Sequence, residues 1–321
     1  MYPLGLNMHT SSLRKDTQVL SYPAREGPVE CWNLNLARGL LPLAPSKTRD
    51  LVNEITALGL LIMNRDLQFS SIAWRSELGL HREGNEDSGL IATNTIAVAD
   101  GMGGYAGGEI ASRVVIETLT KALPLLENKE IDRDSREDIF RTSLEDMDHA
   151  IRQKCEERPE LDGMGTTFTA FHLDGTFVSL LHIGDSRAYR IRNKKITRLS
   201  HDHTVVQELF DQGRISAEEM SDHPQRSFLT QALMGKANIN PILSIFPVEP
   251  GDIYLVCSDG LTNVVDEGKI LSAFTGDLQS AVNTLIDLTY MNDAPDNVTV
   301  IAAQIGAERN EISTELIGAA K

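Results

Sequence analysis

The stretch TIAVADGMGGYAGGEIASRVV, residues 95–115, decides how the chain is read. An apolar, strand-like run ends in a glycine cluster, and a helical pattern follows. Gly101, Gly103 and Ala106 fit G-x-G-x-x-A, one fingerprint of a dinucleotide-binding turn. Asp100 argues the other way. A carboxylate at the strand end repels the phosphates such a loop cradles and attracts a cation instead.

The pattern on either side of this loop weakens the dinucleotide alternative further. QFSSIAWRS and TIAVAD look like strands, and helices are expected over residues 106–123 and 135–157. In the second, Phe140, Leu144, Met147, Ile151 and Cys155 recur at spacings of three and four. Three strand patterns follow, GTTFTAFHL, TFVSLLHIG and RAYRIRN, joined by the turn signals Asp174-Gly175 and Gly184-Asp185. Short helices fit 203–212 and 216–221. Strands return at NPILSIFPV and DIYLVCS, then helices at 266–274 and 278–290, then a last strand NVTVIAAQI. Hairpins followed by helix pairs are not the strand-helix-strand alternation of a parallel nucleotide-binding fold. They fit antiparallel sheets with helix pairs packed outside.

The chain has 321 residues, with 46 acidic against 30 basic side chains and a formal charge of −16, which argues against a nucleic-acid or anionic membrane surface. Three widely spaced cysteines suit a reducing compartment and offer no zinc spacing. The N-terminus has no charged-then-apolar signal pattern, and the longest apolar runs are too short to span a bilayer. A cytoplasmic location is expected. Residues 1–65 are proline-punctuated and carry no convergent motif, so they read as an N-terminal extension of unknown role, with translation from Met63 as an alternative. Residues 66–308 form the expected domain and 309–321 a C-terminal tail.

Carboxylates stand beside Gly or Asn at five strand ends or tight turns. They are Glu86 and Asp87 in GNEDS, Asp100 in ADGMGG, Asp185 in GDSR, Asp259 in SDGL and Asp296 in PDNV. One such pair is usually just a turn, and Asp174-Gly175 is read that way. Five of them meeting at one sheet edge would make an acidic cup whose charges repel. A hard divalent cation resolves that repulsion, and all-oxygen donors favour Mg²⁺ or Mn²⁺.

In order, HREGNEDS, VADGMGGYAGGEIAS, GTTFTA, HIGDSRAYRI, LTQALMG, LVCSDGLTNVV and APDNVTVI resemble the metal-dependent protein phosphatases, the PPM or PP2C family, in their bacterial form. The resemblance spans residues 69–305. It implies an α+β fold, a four-layer α-β-β-α sandwich of two antiparallel sheets flanked by antiparallel helix pairs. It also implies a protein serine/threonine phosphatase using Mn²⁺ or Mg²⁺, with two core ions and a third, weaker one. In that family a metal-activated water attacks phosphorus directly, without a phosphoenzyme.

By the same resemblance Asp100 bridges the two core ions and the Gly101 carbonyl is a ligand of one. Asp259 and Asp296 bind the first ion, Glu86 the second, and Asp185 the third. Asp87 supports these acids from behind, and Arg82 grips the substrate phosphate with its planar fork. The chain departs from some eukaryotic members at Met102, where they place a histidine, so a metal-bound water is the default candidate for protonating the leaving group and Tyr105 a weak one. His201 and His203 read as loop residues beside a flap over 203–229, not as ligands. Cysteine-dependent phosphatase chemistry is excluded, because Cys-x5-Arg fails at Ala37, Leu161 and Asn263. The implied partners are phosphoserine or phosphothreonine proteins and an opposing kinase, with the chain a monomer. A phosphoprotein-binding relative without catalysis would have lost acids that are all present here.

Overall fold

The computed structural model describes residues 67–103, 107–236, 239, 242–307 and 312–321. The N-terminal extension, Met63, Cys31, Tyr105 and Ala106 lie outside the described residues. In chain order the first elements are β1 (Gln68–Glu77), β2 (Asp87–Ile91), β3 (Thr95–Met102), α1 (Gly107–Leu126) and α2 (Arg133–Glu157). The middle of the chain forms β4 (Gly165–Thr166), β5 (Phe168–Asp174), β6 (Phe177–Ile183), β7 (Arg187–Arg192) and β8 (Lys195–Arg198). Then come α3 (Val205–Asp211), α4 (Ala217–Ser221), β9 (Ile242–Pro247), β10 (Ile253–Cys257) and α5 (Asp259–Thr262). The chain closes with α6 (Glu267–Ala273), α7 (Leu278–Met291), β11 (Val298–Gly306) and β12 (Glu315–Gly318).

Two antiparallel sheets result. One runs β1-β11-β10-β7-β8, the other β12-β2-β3-β5-β6-β9, with short β4 pairing antiparallel with the end of β3. No strand-helix-strand crossover joins parallel neighbours among the described strands, which removes the dinucleotide alternative. The alternation of side chains along each strand explains the layers. On β3, Ile96 and Val98 face the space between the sheets, while Ala97 and Ala99 face α1 and α2. On β11, Ile301, Ala303 and Ile305 point inward between the sheets, and Val298, Val300 and Ala302 pack under α5, α6 and α7. Three apolar layers therefore separate four structural ones. Strands covered on both faces show continuous apolar runs rather than clean alternation, as TIAVA and VTVIAA do.

The helices begin where local chemistry starts them. Asp132 caps α2 through the Ser135 N–H, Asp266 caps α6 through Lys269, and Asp277 caps α7 through Ser280. In the flap, Ser216 and Glu219 form a reciprocal capping box at α4. One expectation needs correcting. Residues 309–321 read as a tail, yet Glu315–Gly318 form β12 and extend the second sheet beyond β2. Ile317 is fully buried between the sheets, so the segment is tied down by packing that its short, unpatterned sequence does not announce.

Candidate active site

The β2–β3 pair starts the site. Asp87 and Asp100 are direct cross-strand partners, at the end of the hairpin away from its turn. Beyond Asp100 the backbone must pass under the start of α1 with almost no clearance. A Cβ on Gly101 would lie 2.1 Å from the Gly108 carbonyl oxygen, and one on Gly108 would meet the Glu86 carboxylate at 2.9 Å. Gly103 has φ +139° and completes the turn. The glycine cluster thus seats the N-terminus of α1 against β3 and Glu86, where the helix dipole favours a carboxylate.

Each acid is then fixed by neighbours distant in sequence. The Glu86 backbone N–H donates to Asn297 Oδ1 at 3.0 Å, and its carbonyl accepts from the Gly101 N–H and from Ser112 Oγ. The Asp100 N–H donates to Thr167 Oγ1, and the Asp100 carbonyl accepts from Thr166 Oγ1 and the Thr167 N–H. Asp87 is buried, and its carboxylate accepts from Ser258 Oγ at 2.7 Å. Ser258 also accepts from the Thr299 N–H and precedes Asp259 at the start of α5. Asp185 follows Gly184, which turns with φ +105° at the end of β6. Asp296 and Arg82 meet across 214 residues, with Nη2 to Oδ2 at 2.5 Å.

A cleft of about 250 Å³ brings Arg82, Glu86, Asp100, Asp185, Asp259 and Asp296 together, and the backbone at Gly101 lines it too. All the expected site residues are gathered there except Asp87, which lies behind the cleft wall on Ser258. Ser227 and Leu229 of the flap also line it, while His201 and His203 do not. His201 pairs with Asp211, and His203 Nδ1 accepts from the Gly184 N–H. Several supporting residues went unnamed in the sequence: Thr167, Ser258 and Asn297. Ser258 and Asn297 carry a signal of position, each standing beside a strand-end acid with a short hydrogen-bonding side chain, whereas Thr167 reaches Asp100 across 67 residues with no such local mark.

The electrostatics show that the acids are undercompensated. Burial pushes Asp87 up to about 7, aided by the Asp259 and Asp296 charges and opposed by its hydroxyl donors. Burial, with Asp87 and Asp259 next in effect, raises Asp100 well above the carboxylate range. Asp185 is pushed up to about 8 by burial and then Asp259. Burial also raises Asp259 and Glu86, with Asp296 repelling both. Arg82 is the lone basic residue lining the cleft among the described residues. Such a set fits hard divalent cations, which would remove the repulsion. Among the described residues no three acid, His or Cys side chains already form a closed cage around one point.

A family model described as Protein phosphatase 2C matches residues 85–291. The chain is 41% identical over 234 residues to the serine/threonine protein phosphatase PstP of Mycobacterium tuberculosis, covering 73% of this chain and 44% of that protein. It thus spans less than half the length of that relative. It is 31% identical over 242 residues to the serine/threonine phosphatase Stp of Listeria welshimeri, covering 72% of this chain and 94% of that protein. A crystal structure of the PstP catalytic domain in complex with two manganese ions superposes with a TM-score of 0.68 at 38% identity, over 74% of this chain and 99% of that one.

Proposed function

Because the chain belongs to the protein phosphatase 2C family, we propose that it is a metal-dependent protein serine/threonine phosphatase that hydrolyses phosphomonoesters directly. The observation that carries this is the convergence of five carboxylates and one arginine in a single cleft at one end of the sandwich. Glu86, Asp100, the Gly101 carbonyl, Asp259 and Asp296 would hold two Mn²⁺ or Mg²⁺ ions, and Asp185 a third. When bound, such ions supply Lewis acidity toward the phosphoryl oxygens and make water a nucleophile near neutral pH.

The chain's own residues supply orientation. Arg82 presents a planar fork at the cleft edge and grips two phosphate oxygens at once, swinging from Asp296 to do so. Thr166 and Thr167 fix the Asp100 backbone, and Ser258 with Asp87 fixes the start of α5, so the acids stay put as charge redistributes. In this reading water attacks phosphorus directly without a phosphoenzyme, and the leaving oxygen takes its proton from water.

The substrates would be phosphoserine and phosphothreonine proteins made by an opposing kinase, acted on by a cytoplasmic monomer. The net charge of −16 supports the exclusion of nucleic acid, and no described helix is long and apolar enough to cross a membrane. The test is release of phosphate from p-nitrophenyl phosphate and from a phosphothreonine peptide by the full chain. Turnover is expected with Mn²⁺ and is expected to vanish with EDTA or in Asp259→Asn. Metal-independent turnover, or wild-type turnover in Asp259→Asn, would overturn the reading.

A further inference from the structure

We infer that His203 is a positioning residue for this site: its ring nitrogen holds the turn that carries Asp185 to the root of the flap, so that acid and flap keep one spacing across the cleft. The inference rests on the phosphatase reading above, in which Asp185 serves the third ion. It adds a residue that does not itself line the cleft.

The segment leading into the flap runs alongside the Asp185 turn. The Leu199 N–H donates to the Ala188 carbonyl at 2.8 Å, and the Ala188 N–H donates to Ser200 Oγ at 3.0 Å. Arg187 donates through Nε and Nη2 to the buried Asp202 carboxylate, with Nη2 to Oδ2 at 2.7 Å. His203 makes the last contact of the series, and it reaches Gly184, directly before Asp185. The His203 N–H donates to the Gly184 carbonyl at 2.8 Å, and the Gly184 N–H donates back to His203 Nδ1 at 3.0 Å. An amide donor at Nδ1 needs the lone pair there, so the ring is neutral with its proton on Nε2.

The turn has little freedom on its other side. Gly184 has φ +105°, and a Cβ on it would lie 2.6 Å from Thr167 Cβ. Ser186 Oγ shares a hydrogen bond of 2.7 Å with Thr167 Oγ1, and Thr167 lines the cleft. Asp185 thus projects from a turn gripped by Thr167 and by His203.

His203 is also where the chain passes over to the flap. Its carbonyl accepts from the Thr230 N–H at 2.8 Å, the Val205 N–H donates to the Phe228 carbonyl at 2.9 Å, and Thr204 pairs with Leu229. Leu229 and Ser227 line the same cleft as Asp185. One residue therefore bonds to the Asp185 turn through its ring and N–H, and to the returning flap segment through its carbonyl. The ring also stacks on His182 at 5.0 Å, so its acceptor and its packing have to be separated by experiment.

His203→Asn keeps an acceptor, since Asn Oδ1 is bonded to Cγ as His Nδ1 is, and removes the ring. His203→Phe keeps a ring and removes the acceptor. The full chain is titrated with Mn²⁺ by calorimetry, and kcat and KM are measured for a phosphothreonine peptide and for p-nitrophenyl phosphate. His203→Phe is expected to weaken the weakest Mn²⁺ site and to raise the peptide KM by about fivefold each, the scale of one lost hydrogen bond. His203→Asn is expected to stay within about twofold of wild type in both. His203→Leu, which also lacks an acceptor, should repeat the Phe result and replaces that variant if it does not fold. Wild-type behaviour in the acceptor-less variants overturns the inference. Equal impairment of the Asn and Phe variants overturns it too, because the ring's packing is then what matters. A wild type that turns over neither substrate overturns the phosphatase reading, and the Mn²⁺ titrations then decide the role of His203 by themselves.

Discussion

Asp100 is buried, and the charges of Asp87, Asp259, Asp185 and Asp296 compound that burial in raising its carboxyl well above the usual range. Without cations its negative form destabilises the fold, and that defines a test that does not depend on turnover. Asp100→Asn keeps the shape, removes the charge and leaves the Thr166 and Thr167 bonds to its backbone intact. In EDTA the variant is expected to melt about 2–6 °C higher than wild type, as gains of roughly 1–2 kcal/mol imply for a domain of this size. With Mn²⁺ the order reverses, because only the wild type gains from binding, about 2.7 kcal/mol at a hundredfold excess over Kd. Differential scanning calorimetry in both buffers decides it; a variant that melts lower in EDTA counts against the repulsion argument. At this scale the acids were legible because each stands beside Gly or Asn at a strand end. Their partners were not. Ser258 reaches Asp87 across 171 residues and Arg82 reaches Asp296 across 214, and local pattern carries no information about such pairs.

Elements long enough to repeat their period were plain in the sequence, as α2 and β11 show with apolar residues at helical spacing and as a continuous run. Elements of four residues were not. Asp259–Thr262 turns once and Glu315–Gly318 pairs along one edge, too short for either period to show. Yet β12 reaches the site. The Ala319 N–H donates to the Asp87 carbonyl at 2.7 Å, and Gly318, at φ +65°, would place a Cβ 2.1 Å from that same oxygen. Gly318→Ala is therefore expected to displace Asp87 as well as strain the turn. Gly251→Ala is the control, since it too has positive φ, +89°, but open space around it. The control is expected to cost about 1–2 kcal/mol of unfolding free energy from the left-handed backbone alone. Gly318→Ala should cost at least about twice that and weaken Mn²⁺ binding several-fold by calorimetry. Equal effects at the two positions would mean that β12 is a passive edge.

Across the whole molecule, two buried histidines report on the two interior layers that flank the second sheet. His172 lies on the helix side, tilted against Phe140 at 5.7 Å, with Nδ1 bonded to Thr95. His182 points the other way, stacked on His203 at 5.0 Å and bonded to Thr169 and the His201 carbonyl. Burial lowers both from 6.5 to about 4; for His172 Arg136 adds to this against Asp174, and for His182 His203 and Arg198 add against Asp202. The sign follows from which state holds the proton. Between pH 6.5 and 4 the unfolded chain binds protons that the folded chain refuses, so stability falls as pH falls through that window. From pH 7 to pH 5 each histidine is expected to remove about 2 kcal/mol. The acidic cleft titrates in the opposite sense in the absence of cations, because its raised carboxylates take up protons in the folded state first. Urea unfolding of wild type alone therefore mixes the two contributions. Comparing wild type with His172→Gln and His182→Gln separates them: whatever the variants cost at pH 7, each should lose about 2 kcal/mol less than wild type on going to pH 5. Parallel pH profiles for wild type and both variants would show that the histidines are protonated in the fold, and that the layers on either side of the sheet admit water.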